Sequence, residues 1–463
     1  MKISSYLSLF LSLLLLHGLF HSKLVIAVGT ADGTEEWGYV EVRPRAHMFW
    51  WLYRSPQRSE SSSSPWPIIL WLQGGPGASG IAIGNFQEIG PLDTNLKPRK
   101  STWLQKADLL FVDNPVGTGF SFGEDESLVV QTDEQAATDL TTLLKELSNK
   151  DKSFQTSPFF IVAESYGGKF AATLGLSVLQ AIQNKELNLI LGGVVLGDSW
   201  ISPEDYVFSW GPLLKEVSRL DENGLQETNR MAQLIKQQIE KGQFGNAIDS
   251  WGDLESLIST RSNSVDFYNF MLDSGSDPLA LKATGLLQGI LMKYSNYLPS
   301  KDSSNGGLNS LMNGVIREKL KIIPKNVIWG GQADIVFKGL SFDFMKPRIN
   351  EVDELLSNGV NVTIYNGQVD LICATPGTEA WVQKLKWDGL KNFTNLNRTP
   401  LYCKNDQQVT KGFRKSYKNL NFYWILGAGH FVPVEQPCIA LQMIGEITRS
   451  PVPSSGRNKK FIE

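Results

Sequence analysis

Cysteine, histidine and net charge are all scarce in this 463-residue chain. Three cysteines cannot build a small disulfide framework, and an odd count leaves at least one thiol unpaired. They are Cys373, Cys403 and Cys438. An oxidising compartment would allow one bridge, with Cys403 to Cys438 as the preferred pairing and three reduced thiols as the alternative. Only four histidines are present and no cysteine pair has ligand spacing, so no metal site is expected. A formal net charge of -3, from 44 basic and 47 acidic residues, leaves no electrostatic footprint for nucleic acid. No internal repeat is visible, and low complexity is confined to a serine-rich loop at 59–65. The glycine-rich stretch 74–80 is not followed by Gly-Lys-Ser/Thr, which excludes a P-loop, and no cofactor is expected.

What is present starts with an address. Lys2 precedes an apolar stretch at 6–16, and Val25-Ile26-Ala27 offers a small-residue cleavage point, so residues 1–27 read as a signal peptide cut after Ala27. His17, Gly18, His21 and Lys23 interrupt the stretch before it reaches the ~20 apolar residues of a membrane span, so no membrane partner is expected. Secretory entry fits three glycosylation sequons, at Asn361, Asn392 and Asn397. Residues 451–463 read as a disordered tail.

Short, almost wholly apolar runs at 67–72, 109–112, 159–162 and 189–196 read as strands buried on both faces. Helical spacing separates several of them, as at 134–147 and 169–182, and strand character returns at 360–365 and 420–426. Alternation at 38–53 suggests antiparallel strands before them. The pattern predicts an α/β domain on a mostly parallel sheet, formed by residues 28–202 and 336–450. Residues 203–335 show helical spacing at 225–241 and 246–258, and read as a largely helical insertion, or cap, over the strand ends.

Chemistry gathers where those strands finish. The run 159–162 leads into Ala163-Glu164-Ser165-Tyr166-Gly167-Gly168 and then a helix, the context that gives meaning to a nucleophile elbow. A serine hydroxyl needs a base. With His17 and His21 in the leader, His47 and His430 remain, and His430 follows a strand in Gly427-Ala428-Gly429-His430. Asp370 follows another, in Asn366-Gly367-Gln368-Val369-Asp370, with Asp198 and Asp334 as rivals that read as capping residues. Open α/β sheets place ligands beyond the carboxyl ends of their strands, and Ser165, Asp370 and His430 occur in the chain order of an α/β-hydrolase triad. The turn Gly74-Gly75 and the residue after the nucleophile, Tyr166, are the candidate oxyanion donors, chiefly Gly75 and Tyr166.

Five ordered motifs give the chain a resemblance to the serine carboxypeptidase family over its mature length. They are Trp71-Leu72-Gln73-Gly74-Gly75-Pro76-Gly77, residues 113–121, the elbow Glu164–Gly168, residues 366–370, and Gly427-Ala428-Gly429-His430-Phe431-Val432-Pro433. The branch it most resembles is the retinoid-inducible one, with the plant serine carboxypeptidase-like proteins. The resemblance implies an α/β-hydrolase fold and release of single residues from peptide or protein C-termini at acidic pH. It also implies recognition of the substrate carboxylate by Gln73, Gly74, Glu88 and Glu164. Two paired carboxyls share protons poorly when both are ionised, and a protonated glutamate can donate to a substrate carboxylate. Gln73 stands where the family usually has Asn, and Ala78 where Cys is common, which removes a tether of the insertion. Two alternatives stay open: acyl transfer from sugar esters, and a non-catalytic binding role.

Overall fold

The structure, a computed structural model, describes residues 25–58, 65–274, 307–403 and 408–451. The expected leader up to residue 24, the serine-rich loop at 59–64 and the tail from 452 lie outside these residues.

β4 (Ile68–Leu72), β5 (Asp108–Val112) and β7 (Pro158–Glu164) come from the apolar runs, and β4 and β5 are buried at every position. Alternate side chains of β4 divide between two cores. Ile68, Leu70 and Leu72 join one cluster with Ile161, Val194 and Leu196, while Ile69 and Trp71 join the other with Val162 and Val195. A strand with an apolar core on each face must lie between two layers of helix. β8 (Ile190–Gly197), β9 (Val362–Gly367) and β12 (Leu420–Ile425) continue the layer, so that β5-β4-β7-β8-β9-β12 run parallel.

Antiparallel strands flank this centre. β1 (Val25–Gly29), β2 (Glu35–Arg43) and β3 (Ala46–Tyr53) extend one side, with β6 (Phe122–Gly123) against β3. β10 (Thr399–Leu401) and β11 (Gly412–Tyr417) extend the other. Ala27 pairs with Gly38, so the cleavage point expected after Ala27 falls within β1. Cys403, beyond β10, is bridged to Cys438 in the C-terminal helix Pro437–Ile447, and Cys373 is free and buried.

The segment from 203 holds three long helices, Pro203–Glu216, Glu222–Glu240 and Phe244–Arg261. Trp210, Trp251 and Leu254 sink from them into the core shared with the sheet. On either side of Ala78, backbone bonds hold the far end of this segment to the glycine loop: Ala333 N–H donates to Gly77 O at 2.9 Å and Ser79 N–H to Gly331 O at 3.2 Å. No helix among the described residues is long and apolar enough to cross a membrane.

Candidate active site

Parallel pairing delivers the functional segments to one rim. Leu72 pairs with Ala163, Glu164 with Gly197, Gly197 with Tyr365, and Ile425 with Gly367. The residues that follow are therefore neighbours in space: Gln73, Ser165, Asp198, Asp370 and His430.

Ser165 has a left-handed backbone, φ 61°, between β7 and the helix Gly167–Gln183. A non-glycine residue rarely adopts this conformation unless its surroundings enforce it. Here Ser165 N–H donates to Gly197 O at 3.1 Å, and Ser165 O accepts from Trp200 N–H at 2.9 Å and Gly168 N–H at 3.0 Å. Gly74 permits the close approach of the loop: a Cβ there would lie 2.6 Å from Ser165 Cβ and 2.9 Å from Tyr166 N. Gly75, at φ 104°, lines a pocket together with Ser165 and Tyr166.

His430 Nδ1 lies 2.9 Å from Asp370 Oδ2, both side chains fully buried. The loop that carries the imidazole is pinned: His430 N–H donates to Tyr268 O at 2.8 Å, and Gly429 N–H to Glu435 Oε2 at 3.0 Å. Asp370 Oδ1 accepts from Cys373 N–H at 3.2 Å. Asp370, Cys373 and His430 each offer a ligand atom within 4.8 Å of the others. Burial, then the Asp370 charge, pushes the Cys373 thiol well up.

The rivals separate cleanly. Asp334 is exposed in the first turn of the helix Asp334–Gly339 and does not cap it: the N-cap position is Ala333, with no side-chain cap hydrogen bond. His47 stacks on Phe122, ring centroids 4.8 Å apart, with Nε2 3.5 Å from Glu124 Oε1. Asp198 is not a bystander. Its Oδ1 accepts from Gly367 N–H at 2.6 Å, and its carboxyl hydrogen-bonds Asp370. Burial and the Asp370 charge hold its pKa well above the usual carboxylate range, so Asp198 keeps a proton.

The expected carboxylate-recognition residues also meet. Gln73 Nε2 donates to Glu164 Oε1 at 2.9 Å and to Glu88 Oε1 at 3.1 Å, while its Oε1 accepts from Trp71 Nε1–H at 2.6 Å. Glu88 comes from the buried helical segment Gly80–Ile89, and Glu164 ends β7. The two glutamates are hydrogen-bonded to each other, and burial raises the Glu88 pKa.

Tyr166 belongs to a further group that sequence reading missed. Its hydroxyl donates to Asp133 Oδ1 at 2.8 Å, and its ring stacks on Phe344 with centroids 5.7 Å apart. Asp133 also accepts from Arg348 Nε at 2.9 Å, and Lys169 donates to Asp343 O. These residues lie up to 215 positions apart, and nothing local signals their meeting.

Comparison with known proteins now decides the affiliation: the serine carboxypeptidase family profile matches residues 27–450. The chain belongs to the serine carboxypeptidase family. It is an enzyme of the serine-type peptidase class. It is 62% identical over 431 residues to serine carboxypeptidase-like 51 of Arabidopsis thaliana, covering 91% of this chain and 93% of that one. It is 47% identical over 429 residues to retinoid-inducible serine carboxypeptidase of Homo sapiens, covering 92% and 94%. Among solved structures, a prohormone-processing carboxypeptidase of Saccharomyces cerevisiae superposes with a TM-score of 0.73 at 20% identity, over 90% of this chain and 91% of that one. That likeness establishes the α/β-hydrolase fold.

Proposed function

We propose that this serine carboxypeptidase releases single C-terminal residues from peptides at acidic pH through an acyl-enzyme on Ser165. The observation that carries the reading is the buried cluster of Gln73, Glu88 and Glu164 beside the elbow. A general esterase has no use for two glutamates there. A carboxypeptidase needs hydrogen-bond donors for a terminal carboxylate, and a glutamate pair sharing a proton supplies one below neutrality.

Ser165 Oγ attacks the carbonyl of the last peptide bond while His430 Nε2 takes its proton. Asp370, bonded to Nδ1, fixes the tautomer and stabilises the imidazolium. Backbone N–H groups of Gly75 and Tyr166 hold the oxyanion, each such donor being worth about 10²–10³ in rate. The C–N bond breaks, His430 returns the proton to the leaving amine, and water then cleaves the ester by the same relay. Glu164 in contact with Gln73 favours this reading over acyl transfer, whose acceptors carry no carboxylate at that position.

We further assign the chain to the secretory pathway. The leader at 1–27, the Cys403–Cys438 bridge and exposed sequon residues Asn361, Asn392 and Asn397 support that assignment. Blocked dipeptides incubated with purified protein near pH 5 should lose their C-terminal amino acid, read by mass spectrometry. No release across varied side chains, or release undiminished in Ser165→Ala, would overturn the proposal.

A further inference from the structure

Beside the cluster of Gln73, Glu88 and Glu164 lies a tyrosine that the chemistry above does not use. Gly197 of β8 pairs with Glu164 of β7 on one side and with Tyr365 of β9 on the other. Leu72 pairs with Ala163, which sets Gln73 next to Glu164. In-register partners of a parallel sheet point to the same face, so Gln73, Glu164, Gly197 and Tyr365 form one row across the rim. Trp71, Val162 and Val195, each two positions before a member of that row, share an apolar cluster with Tyr365 and mark the face. Gly197 is the gap in the row. A Cβ there would lie 1.9 Å from Tyr365 Cζ and 2.1 Å from its hydroxyl oxygen, so glycine is what lets the ring cross from β9 towards Glu164.

The phenol that crosses is fully buried, and its hydroxyl meets no hydrogen-bond partner among the described residues. Folded proteins leave few buried polar groups unmatched, and each one calls for a reason. The charges that reach this hydroxyl belong to the active site: after burial, Glu164, then Asp198 and Glu88, push its pKa well above the ordinary phenol value. It therefore remains an O–H donor throughout the range in which carboxylates titrate.

Glu88 and Glu164 are hydrogen-bonded to each other and share the Gln73 amide. On the functional reading above, the Glu88 O–H turns to the terminal carboxylate when substrate binds. The charge on Glu164 then loses a donor in a buried site, where a lost donor is costly. We propose that Tyr365 is a positioning residue for recognition of the C-terminus: its hydroxyl, unused in the free enzyme, donates to Glu164 once substrate draws the Glu88 proton away. Tyr365 acts through Glu164 and touches no substrate atom. No covalent bond changes, since the proton stays on Glu88 and the phenol keeps its own. A hydrogen bond absent from the free state and present in the complex contributes to affinity and not to the fold.

This inference rests on the exopeptidase reading, and the experiment separates the two. Tyr365→Phe keeps the ring and deletes the oxygen. The variant and the wild type are compared near pH 5 on a blocked dipeptide and on a blocked amino-acid ethyl ester, which has no terminal carboxylate. For the dipeptide KM should rise about tenfold with kcat little changed, the scale of one donor lost from a buried carboxylate, and for the ester neither constant should move. In a Glu164→Gln background the same deletion should leave KM for the dipeptide unmoved, a double-mutant cycle that locates the partner. Because no hydrogen bond of the free enzyme is lost, Tm of Tyr365→Phe should equal or exceed that of the wild type. An unchanged KM for the dipeptide, equal losses on dipeptide and ester, a loss that persists in Glu164→Gln, or a lowered Tm each overturns the proposal. Should the wild type release no amino acid, the functional reading fails and binding decides: an N-acyl amino acid is titrated calorimetrically into Ser165→Ala with and without Tyr365→Phe. Weaker binding without the hydroxyl upholds the inference, and equal binding, or none, sinks it.

Discussion

Asp198 and Asp370 are two fully buried carboxyls joined by a hydrogen bond, and Asp370 is at the same time 2.9 Å from His430 Nδ1. Two such acids cannot both ionise cheaply. Asp198 holds the proton and donates it towards Asp370, whose charge is then directed at the imidazole.

Asn at position 198 reproduces this pattern, accepting from Gly367 N–H and donating to Asp370. Asp198→Asn should therefore keep kcat within a few-fold of wild type and extend activity to higher pH, while Asp198→Ala should lower kcat by about tenfold or more, as expected when a buried acceptor loses a donor. Full pH–rate profiles of both variants make the comparison. Equal loss in the two would show a role in packing alone.

Glu88 and Glu164 share Gln73 and one another, and burial raises the Glu88 pKa. As pH climbs through that raised value the pair gains charge and repels a substrate carboxylate. KM for a blocked dipeptide should rise as pH climbs above the ordinary carboxylate range while kcat changes less. Glu88→Gln keeps a donor that does not titrate, so its KM should climb less steeply. An identical KM profile in wild type and variant would count against the pair as the acidic-pH device.

Arg348 is 6% exposed and serves Asp133, Glu134, Asp343 and Glu351 at once. Replacing it with Met leaves Asp133 buried with Lys169 as its remaining cation at 3.6 Å. Such a break costs about 3–5 kcal/mol, which calorimetry would register as a markedly lower Tm. Because Asp133 anchors the Tyr166 hydroxyl, kcat should fall more than KM moves.

Much of this site could be read from the chain. The apolar runs ended with β4 and β5 and stopped one or two residues short of the ends of β7 and β8, and the small-residue loops after such strands read as the rim, so Ser165, Asp370 and His430 were proposed from position and order. What escaped the reading depends on register and on faces. Asp198 looked like a capping residue because its partner comes from β9, and only the pairing of Gly197 with Tyr365 brings Asp370 beside it. β11 was missed because an outer strand with half-buried Arg414, Lys415 and Ser416 carries no apolar run.

Burial raises the carboxyl pKa of Glu88 and Asp198, and that of Asp113 to about 7. The folded chain then binds protons that the unfolded chain has released, so stability is full below the ordinary carboxylate range and is lost as pH rises through these values. Scanning fluorimetry should show Tm falling between about pH 5 and about pH 8. Asp198→Asn should reduce that slope. A Tm that climbs across the same interval would reverse the assignment of protonated buried acids.

The central claim is that Ser165 is made nucleophilic by His430. Labelling the native protein with a fluorophosphonate and mapping the adduct by mass spectrometry addresses it directly. The account predicts one stoichiometric adduct on Ser165, abolished or greatly slowed in His430→Ala. No adduct on Ser165 in the folded wild-type protein, or labelling equally fast without the imidazole, would contradict it.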